Sequence, residues 1–182
     1  MKYFFLVILF VSVSSKVSAS FKNDIIQNLK NTQNLSFNFE QNINGKLENG
    51  NCIIEYPKKI FCKYNLKNKK ILVSNGRSLV IKTNSSYYLY SIDKTPLNLI
   101  LDKKYLINKI KVLKGRNVNK NFINFKFSEN DTEINVFFDK KTFNLIGWQT
   151  KDIYQNLSIT YLFSISKNKY IEKNLFKLPK QN

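Results

Sequence analysis

The chain reads as a mainly β protein with a few helices (α+β), built as an antiparallel sheet covered on one face. Three observations predict this. Apolar residues alternate with polar ones over many short segments, the period of a half-buried strand. Turn signals recur between those segments. Two stretches, one near the start and one in the middle, break the alternation with helical patterns. Many short, evenly spaced strands suggest a sandwich or a barrel-like sheet. A single large sheet has two faces, and the two helical stretches are natural covers for one of them. A curved sheet with helices in its hollow encloses an apolar space, where a lipid-like ligand would sit.

Residues 20–33 read as an amphipathic helix, with Phe21, Ile25, Ile26 and Leu29 on one stripe. The period then changes to two: Leu35, Phe37, Phe39, Gln41 and Ile43 alternate with Ser36, Asn38, Glu40 and Asn42. Asn44-Gly45 and Asn49-Gly50 read as turns. Cys52–Tyr56 and Ile60–Tyr64 read as two strands about a turn at Pro57-Lys58-Lys59. Strands follow at 70–73 and 79–82 around Ser74-Asn75-Gly76-Arg77, where Asn-Gly tolerates positive φ, and another at 87–92. Thr95-Pro96-Leu97-Asn98-Leu99-Ile100-Leu101 has an N-cap candidate, a proline at the first helical position and an apolar run, and reads as a short helix. Residues 103–109 add a turn or two. Strands resume at 110–113, 122–127, 133–138, 145–151 and 157–163, with turns at 129–131 and 139–142. The tail, Ile171 to Pro179, is expected to tuck Leu175 or Phe176 against the body.

The body follows an export signal. Lys2 supplies a positive start, Tyr3 to Val13 is an apolar run broken only by Ser12, and Val17-Ser18-Ala19 offers small residues for cleavage. The run is too short for a stable bilayer anchor. Residues 1–19 are expected to be removed, leaving residues 20–182 as one domain outside the cytoplasm. Ser20 follows the cut; a bacterial lipoprotein would need Cys there, so the chain itself is expected to carry no lipid.

Composition narrows the function further. The chain has 30 basic and 12 acidic residues and a formal charge of +18. Such a balance suits nucleic acid or anionic membranes. The lysines are spread along the chain, however, and Arg77 and Arg116 are the only arginines, so no nucleic-acid site is expected. The chain has no His, which removes His-based triads and most zinc sites. The acids form no obvious dyad, and the five glycines form no phosphate loop. No enzyme, cofactor or metal is expected.

Cys52 and Cys62 are the only cysteines. If the chain folds back at Pro57, they fall opposite each other within bridging distance. A disulfide and a pair of buried thiols are both compatible with the sequence, because register is not readable from it.

The order of motifs resembles the LolA family of periplasmic outer-membrane lipoprotein carriers over nearly all of residues 20–182. Phe37-x-Phe39-x-Gln41 resembles the family's opening strand. Glu55-Tyr56-Pro57-Lys58-Lys59-Ile60-Phe61-Cys62-Lys63-Tyr64 resembles its strand–Pro–strand hairpin. Leu72-Val73-Ser74-Asn75-Gly76-Arg77-Ser78-Leu79 resembles its valine–serine–aspartate–glycine hairpin. Thr95-Pro96-Leu97-x-Leu99-Ile100 resembles its lid helix, and Phe137-Phe138-Asp139 with Leu145-Ile146-Gly147-Trp148 its late strands. The resemblance implies an unclosed antiparallel β-barrel, or strongly curved sheet, with lid helices over a hydrophobic cavity. It also implies a carrier role, in which a monomer takes an acylated lipoprotein from an inner-membrane releasing transporter and passes it to an outer-membrane acceptor.

On that reading Phe37, Phe39, Ile54, Tyr56, Ile60, Tyr64 and Trp148 line the cavity, and Pro96, Leu97, Ile100 and Leu101 form the lid. Some family members have an Arg before the hairpin Pro that latches the lid. Tyr56 stands there instead and donates one hydrogen bond where Arg would fork, so the latch is either weaker or made by the hydroxyl. Where family members often have an aromatic three residues after that Pro, Ile60 keeps the place apolar. The alternative function is a periplasmic lipid- or lipoprotein-binding sensor of the same fold.

Overall fold

The structure, a computed structural model, describes residues 16–118, 121–129, 131–151 and 156–181. Its strands are β1 (Asn34–Ile43), β2 (Lys46–Glu55), β3 (Lys59–Tyr64), β4 (Ile71–Asn75), β5 (Ser78–Lys82), β6 (Tyr87–Ser91), β7 (Arg116–Val118), β8 (Phe122–Glu129), β9 (Thr132–Asp139), β10 (Leu145–Lys151) and β11 (Leu157–Lys167). Three helices accompany them: α1 (Lys16–Asn31), α2 (Leu97–Leu101) and α3 (Lys103–Val112). All the strands form one antiparallel sheet in the order β6-β5-β4-β3-β2-β1-β11-β10-β9-β8-β7. The sheet does not close: β6 and β7, consecutive in the chain, lie at opposite edges. The chain between them crosses the covered face as α2 and α3.

Burial follows the period of two. In β2, Glu48, Gly50, Cys52 and Ile54 are buried in alternation, and in β3, Ile60, Cys62 and Tyr64. With Leu35, Phe37 and Phe39 of β1 and the late-strand residues Phe125, Val136, Phe138 and Trp148, the apolar members of these rows make one core. The helices complete it through Ile25, Ile26 and Leu29 of α1, Ile100 and Leu101 of α2, and Leu106, Ile107 and Ile110 of α3. Among the described residues no helix is long and apolar enough to cross a membrane. Of the expected export segment, residues 1–15 lie outside the described residues; Lys16 to Ala19 begin α1.

Several elements differ from the sequence reading. Of residues 110–113, expected as a strand, Ile110 to Val112 end α3, whose residues Leu106, Ile107 and Ile110 bury one helical stripe, and Leu113 is extended just beyond it. Asp102 caps this helix by accepting from the Tyr105 backbone N–H at 3.0 Å. The short strand β7 was not expected. Asn44-Gly45 is a two-residue turn, with both φ positive (50° and 88°). In the β4–β5 hairpin the central pair is Gly76-Arg77; only Gly76 has positive φ (95°), and Asn75 accepts from the Arg77 and Ser78 backbone N–H groups. The tail crosses the outer face, where Phe176 is buried and the Lys59 ammonium lies 5.7 Å from its ring centre.

Asn49-Gly50 is not a turn. Gly50 lies inside β2, between Phe39 on one side and Tyr64 on the other. Lacking a side chain, it lets those two rings meet across the intervening strand, 4.9 Å apart and edge to face. A Cβ there would lie 2.1 Å from the Lys63 carbonyl oxygen and 2.9 Å from the Phe39 ring. We expect Gly50→Ala to lower unfolding free energy by about 3 kcal/mol, as overpacking of a fixed core does. Denaturant unfolding checks it; an unchanged midpoint would show that the ladder yields freely.

Candidate functional site

The covered face holds a cavity of about 170 Å³ lined by Phe39, Gln41, Cys52, Ile60, Cys62, Tyr64, Leu72, Pro96, Leu97, Trp148, Thr150, Ser158 and Thr160. Leu72 on β4 and Trp148 on β10 both reach it, although five strand spacings separate them. In a flat sheet that is about 24 Å. One small cavity can touch both only because the sheet curls around it.

Of the residues predicted to line it, Phe39, Ile60, Tyr64 and Trp148 do so. Phe37, Ile54 and Tyr56 stand beside it in packed core. Phe37 meets Trp148 edge to face at 6.5 Å and supports the wall from behind. Among the predicted lid residues, Pro96 and Leu97 face the cavity, whereas Ile100 and Leu101 are fully buried in the core under α2. Cys52 and Cys62, direct partners in the β2–β3 ladder, are joined in a disulfide that forms part of the wall.

The sequence reading missed a polar side. Gln41, Thr150, Ser158 and Thr160 adjoin through the register pairs Gln41↔Thr160 and Thr150↔Ser158. The Gln41 amide donates to Ser158 Oγ at 3.1 Å and to Thr160 Oγ1 at 3.2 Å, and accepts from the Tyr64 hydroxyl at 3.3 Å. Gln41 was visible as the polar interruption of an apolar row; its partners Ser158 and Thr160, more than a hundred residues away in the chain, were not.

Glu48 continues this stripe as the partner of Gln41 on β2. Its side chain is 4 % exposed and pairs with Lys70 and Lys46. Burial disfavours its charge most, but the hydrogen bonds and charges of the two lysines together outweigh this and hold its pKa below the ordinary 4.5. Lys70 also lies over the Tyr64 ring at 4.1 Å. Burial, aided by the negative charge of Glu48, pushes the Tyr64 phenol up, so it stays a neutral donor.

The lid is held at three places. The Lys58 backbone N–H donates to the Leu101 carbonyl at 3.0 Å, and its ammonium reaches Asp93 at 3.1 Å and Asp102 at 3.9 Å. At the far edge, Tyr105 and Lys109 of α3 bind the Glu129 carboxylate at 2.7 and 2.9 Å. Lys103 donates to the Thr32 carbonyl at 2.7 Å, tying the lid to the end of α1. Tyr56 takes no part by its hydroxyl, which is buried and bonded to no protein group among the described residues. Burial pushes this phenol up. Its ring lies 5.6 Å from the Lys103 ammonium. The place of the expected latch has passed to the neighbouring Lys58.

An open, curled antiparallel sheet closed by a helical lid over a largely apolar cavity defines a binding protein for apolar ligands. Residues 30–179 match the family model described as outer membrane lipoprotein carrier protein LolA, and the chain belongs to this family. No curated protein sequence matches it significantly. Among solved structures it resembles a chain of the Pseudomonas aeruginosa MucA/MucB complex (9 % identity, 89 % of this chain and 61 % of that one, TM-score 0.51). It also resembles an uncharacterised conserved protein from Thermus thermophilus (6 %, 91 % and 96 %, TM-score 0.50). A LolA superfamily protein from Nitrosomonas europaea is a more distant likeness (6 %, 88 % and 97 %, TM-score 0.47). At such identities the first two likenesses support the fold.

Two outcomes follow from this geometry. Tyr56→Phe removes a hydroxyl that no protein group holds, so thermal stability should stay the same or rise; a loss above about 1 kcal/mol would mean the hydroxyl is bonded after all. Glu48→Gln should cost roughly 1–3 kcal/mol at neutral pH. Because the folded pKa of Glu48 is depressed, its contribution is present above 4.5 and is lost as pH falls through the lower folded value. Parent and variant unfolding curves should therefore converge in acid; a constant gap down to about pH 2 would refute the ion-pair account.

Proposed function

We propose that this chain is a periplasmic carrier that takes the acyl chains of lipoproteins under its lid and ferries them from an inner-membrane releasing transporter to an outer-membrane acceptor. Its role is binding and not catalysis. The observation that carries this reading is the apolar cavity walled by Phe39, Ile60, Leu72, Leu97 and Trp148 beneath a short helix held by the burial of Ile100 and Leu101 and by a few polar contacts. The family match supports it.

The need for such a device is physical. Each buried methylene is worth about 0.8 kcal/mol, so one long acyl chain exposed to water costs on the order of 10 kcal/mol. The cavity of about 170 Å³ is close to the size that accepts benzene, too small for such a chain. An acyl chain needs more room than this cavity gives, so loading displaces α2. Leu97, Ile100 and Leu101 leave the sheet as hydrocarbon takes their place, so one apolar contact replaces another and uptake stays reversible. In the alternative reading, a sensor, the same fold keeps its ligand and regulates a partner; a similar fold sits in a two-protein complex, MucA/MucB, which is compatible with a protein partner.

A triacylated lipopeptide, mixed with the protein by detergent dilution and followed by native mass spectrometry, tests the proposal. A one-to-one complex that passes its lipopeptide to acceptor vesicles is expected; a complex that never releases it would favour the sensor. Ile60→Glu puts a carboxylate into the apolar wall and should weaken uptake at least tenfold. Unimpaired uptake by that variant would place the acyl chains elsewhere.

A further inference from the structure

The cavity is not apolar throughout, and its polarity has a direction. Along the covered face of β1 the order is Leu35, Phe37, Phe39, Gln41: three apolar residues, then an amide. Along the antiparallel β11 it is Ser158, Thr160, Leu162, so the hydroxyls lie beside the amide and the leucine beside Phe39. Thr150 of β10 extends the polar end. One end of the cavity, toward the Asn44-Gly45 turn, is polar; the other, toward Phe39, Ile60 and the lid, is hydrocarbon, and Trp148, the register partner of Thr160, turns its ring toward Phe37.

The polar end is also biased toward donation. Gln41 spends its oxygen on the Tyr64 hydroxyl and its amide protons on the two hydroxyl oxygens. Ser158 and Thr160 have therefore been supplied as acceptors, and each retains its own O–H. Among the described residues neither proton is given to a protein acceptor. Both hydroxyls are bound to one amide nitrogen and so are held close together on the wall.

We propose that this cavity reads the junction between hydrocarbon and polar head. It takes an acyl chain joined through an ester or amide, whose carbonyl oxygen accepts from Ser158 and Thr160 while the chain runs past Phe39 and Trp148 under α2. The proposal rests on the acyl-binding reading above and adds which part of the ligand is recognised and which way round it lies. The head group and any attached polypeptide leave at the β1–β2 turn, beside the Lys46–Glu48–Lys70 cluster. A carbonyl oxygen projects two lone pairs from the chain and can serve both donors, whereas an ether offers a weaker, more hindered acceptor within the chain and a bare alkane offers none.

The test compares 1-palmitoylglycerol with 1-O-hexadecylglycerol, which lacks the carbonyl, as competitors for a bound fluorescent naphthalene sulfonate. The parent protein should bind the ester about 3- to 10-fold more tightly, the value of one or two modest hydrogen bonds. Ser158→Ala with Thr160→Val should bring the ratio near one and leave ether binding unchanged or improved. Ser158→Ala alone, at a half-buried position, should lower the ratio partway and guards against misfolding of the double variant. Equal binding of ester and ether by the parent, or a ratio that survives in the double variant, overturns the proposal and leaves the acyl-carrier reading standing. If neither ligand competes, both readings fall.

Discussion

Everything in this molecule that concerns a ligand depends on one topological constraint. The sheet is built outward from the β1–β11 pair, so β6 and β7, neighbours in sequence, end at opposite edges. The intervening chain must cross the sheet, and the face it crosses is the one whose apolar residues need covering. The lid is thus the connection itself. It has two consequences. The crossing segment is tethered at both ends to sheet edges, so it can lift but not leave. It is also jointed: Thr95, Asp102 and Leu113 are extended and divide it into short rods. Ile100, Leu101, Leu106 and Ile110 hold the rods down by burial, and no long continuous helix resists bending.

The polar fastenings of the lid have a matching character. Lys58 sits at φ 63°, a left-handed conformation uncommon for a side chain-bearing residue, and from there its backbone N–H meets the Leu101 carbonyl. Its ammonium bridges acids at both ends of α2, but Asp93 is mostly exposed and such pairs contribute only a few tenths to about 1 kcal/mol each. The pairing of Tyr105 and Lys109 with Glu129 at the opposite edge is likewise partly exposed. Fastenings of this kind set the lid's position without fixing it. An arginine latch concentrates the hold in one side chain; here it is spread over a backbone amide, an ammonium and a tyrosine at separate points.

Much of the fold was legible in the sequence because its signals are local. The alternation in Leu35–Ile43 and in Ile60–Tyr64, the short apolar helix after Pro96, and the facing of Cys52 and Cys62 across Pro57 all rest on neighbouring residues. Thr95, expected to cap that helix, is extended and donates its hydroxyl back to the Ile92 carbonyl, and Pro96 holds the cap position. What failed also failed for local reasons. Ile110–Val112 carries branched residues that suit a strand, and only the buried helical row of Leu106, Ile107 and Ile110 shows them to be the last turn of α3, with Leu113 extended beyond it. Asn49-Gly50 has turn composition, but Gly50 is needed for the contact of Phe39 with Tyr64, a demand made by two other strands. The candidate site was legible on its apolar side and not on its polar side. Phe39, Ile60, Tyr64 and Trp148 announce themselves by hydrophobicity. Thr150, Ser158 and Thr160 are ordinary strand residues until register sets them beside Gln41. Phe37 and Ile54 share the face of the lining residues, but parity assigns a face and cannot say how far along a strand the cavity extends.

The placement of polar groups at one end of the cavity bears on how a ligand held by tens of methyl and methylene contacts can also be let go. Purely hydrophobic burial is non-directional and scales with area, so it gives affinity without orientation. A chain bound that way could enter head first or tail first, and only one of these leaves an attached protein in solvent. A cavity graded from Phe39 to Ser158 removes that degeneracy: the wrong orientation buries a head group among rings and sets hydrocarbon against hydroxyls already aligned by Gln41. On the proposed carrier reading, the head stays near the polar end while the lid lifts and the hydrocarbon is withdrawn last from the apolar end. Direction is thus written in the strand order Leu35, Phe37, Phe39, Gln41, and the lid supplies timing.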